Sequence, residues 1–177
     1  MASRNLPSKE PATKAAGPYG HPLHPLLVTV PIGAWVASLV FDIVSKVSND
    51  PTVYARGARW LIGIGIVGAI VAAIFGLMDQ ATIPADTQAK KTAMTHMTLN
   101  LLVTAAFIAS WLIRNNGSVG TDGSTSPWLV ALSAIALLVL SVSGFLGGMM
   151  TYRFGVRVAR EEDQAEGYEA AGRPRAA

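Results

Sequence analysis

Three histidines and no cysteine set the chemistry open to this chain, and two of the histidines stand close together in "GHPLHPLLVTVPIG", residues 20–33. Neutral imidazole is a ligand for zinc, iron and haem, and His21 and His24 share a face if the turn between them is helical. The third, His96, lies in "THMTLN", with Asn100 one turn further along the same face. Together His21, His24, His96 and Asp79 offer three nitrogens and a carboxylate, a donor set for a single zinc or iron ion. Alternatively, His24 and His96 bind one haem b as axial ligands, with Asn100 or Asp79 orienting the His96 ring. A structural reading stands beside both: polar side chains within apolar helices also join neighbouring helices by hydrogen bonds. Without cysteine there are no disulfides, no cysteine-ligated iron–sulfur cluster and no thioether-linked haem. No phosphate-binding loop, no nucleophile with a nearby base and no arginine-rich nucleic-acid surface is present. No catalytic residue is assigned, the chain reads as a non-enzyme by itself, and no nucleic-acid partner is expected.

The elements that must position these residues are apolar. The 177 residues are 51% hydrophobic and 14% charged, against about a quarter charged in soluble domains. Trp60–Met78, Met94–Ile113 and Trp128–Met150 carry no charge, and Leu26–Phe41 continues past Asp42 to Val47. A bilayer core of ~30 Å takes roughly 20 helical residues, and backbone in lipid must satisfy its own hydrogen bonds. A soluble bundle would need a polar stripe on every helix, which the second and fourth runs lack. The expectation is an all-α integral membrane bundle of four transmembrane helices, with spans at about 24–47, 58–79, 93–113 and 128–151. Residues 1–20 hold charge and proline without an apolar core, which suits a disordered tail rather than a cleaved signal. Residues 21–158 form the membrane domain, and residues 159–177 a charged tail.

Lysine and arginine placement orients the bundle. Ten fall on the side of the termini and the second loop, four on the other, so both termini are expected in the cytoplasm. Trp60, Trp111 and Trp128 fall at the opposite ends of their helices, at the depth of an aromatic belt. Helices one and three then start on the cytoplasmic side while two and four end there, which brings His24, His96, Asp79, Tyr152 and Arg153 to one depth. Asp42 lies about 27 Å from His24 along helix one, at the other face, where a structural salt bridge with Arg59 is expected. Pro22 and Pro25 suit a helix start. Pro31 should kink the first span, with Gly33 admitting a close neighbour. Gly63, Gly65, Gly68, Gly76 and the Gly144/Gly148 pair suit close helix packing within the bundle, or homodimerisation.

In order along the chain, "GHPLHPLLVTVPIGAWVASLVFDI", "FGLMDQATIP", "THMTLN" and "SGFLGGMMTYRFGVRV" resemble the successive motifs of a bacterial membrane family known as domain of unknown function 2231. The resemblance spans roughly Gly20–Val158. It falls on His21, Pro22, His24, Pro25, Pro31, Gly33, Asp42, Asp79, His96, Asn100, Gly147, Gly148, Tyr152 and Gly155, and implies a four-helix inner-membrane protein without an assigned activity. Relatives of that family occur joined to Rieske-type or cytochrome-type redox domains; no such domain is read in this chain, which leaves any redox role dependent on a separate partner. Two functions follow: a redox-associated module holding haem or a metal, or a non-catalytic scaffold or assembly subunit whose polar cluster locks the helices.

Overall fold

The computed structural model describes residues 7–14, 17, 21–117, 122–161 and 164. Most of the two expected tails, and Ser118 of an Asn116-Gly117-Ser118 glycosylation triplet, lie outside them. Five α-helices follow a 3-10 turn at Pro7–Lys9: α1 (Leu23–Leu27), α2 (Thr29–Ser45), α3 (Pro51–Ala81), α4 (Gln88–Asn115) and α5 (Pro127–Tyr152). α1 and α2 together make the first span. They part at Val28 because Pro31 has no N–H to give the Leu27 carbonyl, and its ring crowds that oxygen. The chain stays helical in path across the break, with Val28 N–H donating to His24 O at 3.1 Å and Ile32 N–H to Val28 O at 3.2 Å.

Four stretches, Leu23–Ser45, Pro51–Ala81, Gln88–Asn115 and Pro127–Tyr152, are long and apolar enough to cross a membrane. The helices outrun the charge-free segments. α3 starts at Pro51, where proline suits the first helical position, and takes in Arg56 and Arg59. α4 starts at Gln88, because the Thr87 hydroxyl accepts from Lys90 N–H at 3.1 Å and caps it. Lipid tolerates few charges but helix geometry tolerates them well, so hydropathy marks the membrane and not the helix ends. The apolar side chains of α3 that the bundle leaves exposed, Ile64, Val67, Ile70, Ile74 and Leu77, form the surface a bilayer solvates.

Inside, Trp35, Ile62, Val103, Phe107 and Ala136 make the core. Trp35 and Phe107 stack with centroids 4.3 Å apart and planes 12° from parallel. The Trp35 indole N–H donates to Ile62 O at 3.3 Å, and the ring lies so close over Gly65 that a Cβ there would fall 2.2 Å from the indole nitrogen.

The buried positions repeat. Pro31, Trp35, Ser38 and Asp42 on α2 recur 72 residues later as Val103, Phe107, Ser110 and Arg114 on α4. Ala58, Ile62, Gly65 and Ala72 on α3 recur 71 residues later as Leu129, Ser133, Ala136 and Ser143 on α5. The bundle is therefore two similar helical hairpins, and three pairs 72 apart, His24 with His96, Trp35 with Phe107 and Asp42 with Arg114, meet between the first span and α4. The described parts of the two tails meet at one end, where Arg157 N–H donates to Ser8 O at 2.9 Å and Arg160 pairs with Glu10. This is the tail end; the other is the far end.

Candidate functional site

At the tail end the two hairpins present their histidines in the same way. His24 Nδ1–H donates to Ala72 O of α3 at 2.8 Å, and His96 Nδ1–H donates to Ser143 O of α5 at 2.7 Å. In each case the residue four places after the accepting carbonyl is glycine, and the ring lies against it. A Cβ at Gly76 would come 3.0 Å from the His24 ring, and one at Gly147 3.2 Å from the His96 ring. The carbonyl bond puts the proton on Nδ1 and leaves Nε2 as the basic nitrogen of a neutral ring. The imidazoles are half-buried, with centroids 6.3 Å apart and planes at 88°.

Around His96 the polar groups are satisfied. Asn100 Nδ2 lies 3.1 Å from His96 Nε2, 2.7 Å from Ser143 Oγ and 2.9 Å from His96 O. No hydrogen-bond partner meets His24 Nε2 among the described residues. Asp79 is buried but bonds neither His96 nor Arg153: Arg157, from the turn after α5, ion-pairs with it at 3.0 Å. That turn needs Gly155 at φ +66°, which aims the chain back over the bundle end. Arg153 stands over the Phe154 ring, and Tyr152 is exposed. His21 is exposed as well. The four-residue set His21, His24, His96 and Asp79 is not assembled, and no group of three or more such ligands is placed to hold a metal ion among the described residues. What converges is the His24–His96 pair, with Asn100 and Ser143 beside it.

At the far end Asp42 corrects the expected pairing. Its partner is Arg114, whose Nη1 and Nη2 donate to Oδ1 and Oδ2 at 2.7 and 2.8 Å. Thr125 Oγ1–H donates to Oδ1 at 2.8 Å, and Arg114 Nε–H donates to Ser110 Oγ at 3.1 Å. The carboxylate is fully buried. Arg59 cannot take this place because Ala58, its neighbour, holds the inward position, and one residue on a helix is a rotation of about 100°. Asp42 and Arg114 are 72 apart, like His24 and His96 and like Trp35 and Phe107. That recurrence, invisible in any single motif, is the signal that would have paired them.

The glycines of α3 expected in close packing, Gly63, Gly65, Gly68 and Gly76, each have a neighbouring helix against them, whereas Gly33, Gly144 and Gly148 do not. Gly33 and Gly144 have no neighbour within 4 Å, and Gly148 meets only Tyr152 of its own helix. The close approaches within the helices are at Gly57, Gly63, Gly65, Gly68, Gly76 and Gly147, where a Cβ would come 2.2–3.2 Å from Phe41, Trp111, Trp35, Val30, His24 and His96 respectively.

Four membrane-length helices, with their polar side chains gathered at the two ends of the bundle, define a multi-pass membrane protein of the all-α class. Residues 20–160 match the DUF2231 family, described as a predicted membrane protein, and the chain belongs to that family. No curated protein and no solved structure matches the chain.

Proposed function

We propose that this protein is a membrane module of an electron-transfer system that holds one haem b between His24 and His96 at the tail end. The observation that carries the reading is the matched pair of imidazoles, each fixed through Nδ1 on a backbone carbonyl and each backed by a glycine. Metal-ligating histidines characteristically donate their second nitrogen in this way, which sets the tautomer and makes Nε2 a better ligand. His24 and His96, with ring centroids 6.3 Å apart, would be the residues that hold the haem. Bound haem supplies one-electron transfer. The protein's own part would be to hold the two imidazoles, each fixed through Nδ1, with Asn100 beside His96 Nε2. The Asp79–Arg157 pair keeps its charge internally compensated beside the site. In this reading the chain sits in a bacterial plasma membrane with the tail end in the cytoplasm, and passes electrons to a separate redox protein rather than catalysing a reaction.

A second reading, the scaffold or assembly subunit, is favoured by the bonds already made: both rings donate to backbone carbonyls of a neighbouring helix and the Asn100 amide satisfies His96 Nε2, so the cluster can serve as a helix lock. An absorption spectrum and metal analysis of the purified full-length protein separate the two. The expected result is a Soret band with about one iron per chain, lost in His24→Ala and in His96→Ala and kept in Asn100→Ala. A colourless, iron-free protein that only loses thermal stability in all three variants supports the scaffold.

A further inference from the structure

The far end holds a second polar feature that neither reading uses. A cavity of about 240 Å³ opens between the first turns of α3 and the end of α4, walled by Thr52, Arg56, Arg59, Arg114 and Asn115. Three arginines line it and, among the described residues, no carboxylate does. The acids at this end are otherwise engaged or placed elsewhere. Asp42 is closed behind Arg114 by two bonds. Asp122 accepts from the Ser124 hydroxyl and amide, and Asp50 is exposed at the α3 N-cap, outside the cavity wall. Arg56 and Arg59 are not ion-paired among the described residues. Arg114 spends its Nε–H on Ser110 and one N–H of each terminal nitrogen on Asp42.

We propose that this cavity binds a phosphate-type oxyanion, either a lipid headgroup phosphate or a free anion, with Arg56 and Arg59 as its main ligands. Guanidinium forks match the oxygens of phosphate bidentately and are less strongly hydrated than ammonium groups. Thr52 stands in the first turn of α3, where unsatisfied N–H groups and the helix dipole also favour negative charge. Asp42 neutralises Arg114, so the surplus positive charge facing the cavity belongs to Arg56 and Arg59. The site belongs to one hairpin only, since the positions 71 residues after Arg56 and Arg59 are Pro127 and Val130. Trp60, beside Arg59 and 65% exposed, lies where an indole seeks the headgroup layer, which puts the cavity mouth level with lipid phosphates.

The test is thermal unfolding of the full-length protein in an uncharged detergent, titrated with inorganic phosphate in one arm and with phosphatidylglycerol in the other, against chloride at matched ionic strength. A ligand that binds only the folded state raises the midpoint in a saturable way. The expected result is such a rise in at least one arm, with the half-maximal concentration moved at least tenfold in Arg56→Gln/Arg59→Gln and restored in part by Arg56→Lys/Arg59→Lys. A rise with the lipid alone assigns a headgroup; a rise with phosphate as well assigns a free anion. The single Arg56→Gln, at an exposed position, should shift the titration even if the double variant does not fold. No saturable rise in either arm, an equal rise with chloride, or a rise unchanged in the glutamine variants overturns the site.

Discussion

At the scale of single residues, the Asp42–Arg114 pair is the costliest element to disturb. Both groups are buried, and truncating one strands the other charge, a loss of about 3–5 kcal/mol for a buried pair. Asp42→Ala should therefore lower the unfolding free energy in detergent by that order. Arg59→Ala, which removes a cation that Asp42 does not use, should stay within about 0.5 kcal/mol of the parent. Exchanging the partners, Asp42→Arg with Arg114→Asp, should recover part of the loss, since Thr125 and Ser110 can still offer hydroxyls from either side. Denaturant unfolding followed by tryptophan emission reads all of these. An Asp42→Ala protein as stable as its parent would remove the pair from the account of stability. The sequence marked Asp42 as a charge in need of a partner, which was right, and pointed to Arg59 from depth alone. Depth leaves the rotation of each helix open, and rotation is what selects Arg114.

At the scale of the helices, the four spans were legible because charge-free runs of about 20 residues have one stable arrangement in lipid. The proline break was legible too, since a missing N–H acts locally. The glycines were legible on α3, where Gly63, Gly65, Gly68 and Gly76 all receive a neighbour, and not at Gly33 or Gly144, because that depends on the face each helix turns inward. Gly65 and Gly33 make the contrast measurable. A methyl group at Gly65 would collide with the Trp35 indole, and overpacking of a filled core costs about 1–3 kcal/mol. Gly65→Ala should be destabilising by that amount, with Trp35→Phe restoring part of it by removing the obstructing nitrogen. Gly33 has open space around it, and helical glycine is worse than alanine by about 1 kcal/mol. Gly33→Ala should be neutral or stabilising. Thermal midpoints in one detergent decide both, and an equal fall in the two variants would mean that Trp35 does not pack as described.

At the scale of the whole molecule, the hairpin repeat explains why three unlike pairs lie between the first span, α1 with α2, and α4. Each of these residues meets its own counterpart 72 places on, so the pair can diverge into imidazole with imidazole, indole with phenyl, or carboxylate with guanidinium. The sequence carries one local trace of this, "AWVAS" at 34–38 and "AFIAS" at 106–110. Elsewhere the identities are too sparse to stand out from ordinary apolar composition, so the candidate site was readable as residues and not as geometry. The same symmetry fixes a consequence for orientation. Because α1 with α2 and α4 run in one direction, His24 and His96 share a membrane face, whichever face that is. From the arginine and lysine bias we propose that this face is the cytoplasmic one and that the anion cavity lies outside. A reporter that is active only in the cytoplasm, fused after Ala177, should be active, whereas one inserted between Asn116 and Ser126 should be silent. The opposite result would leave the bundle intact but put the histidine pair on the outer face, where an electron acceptor in the cytoplasm could not reach it.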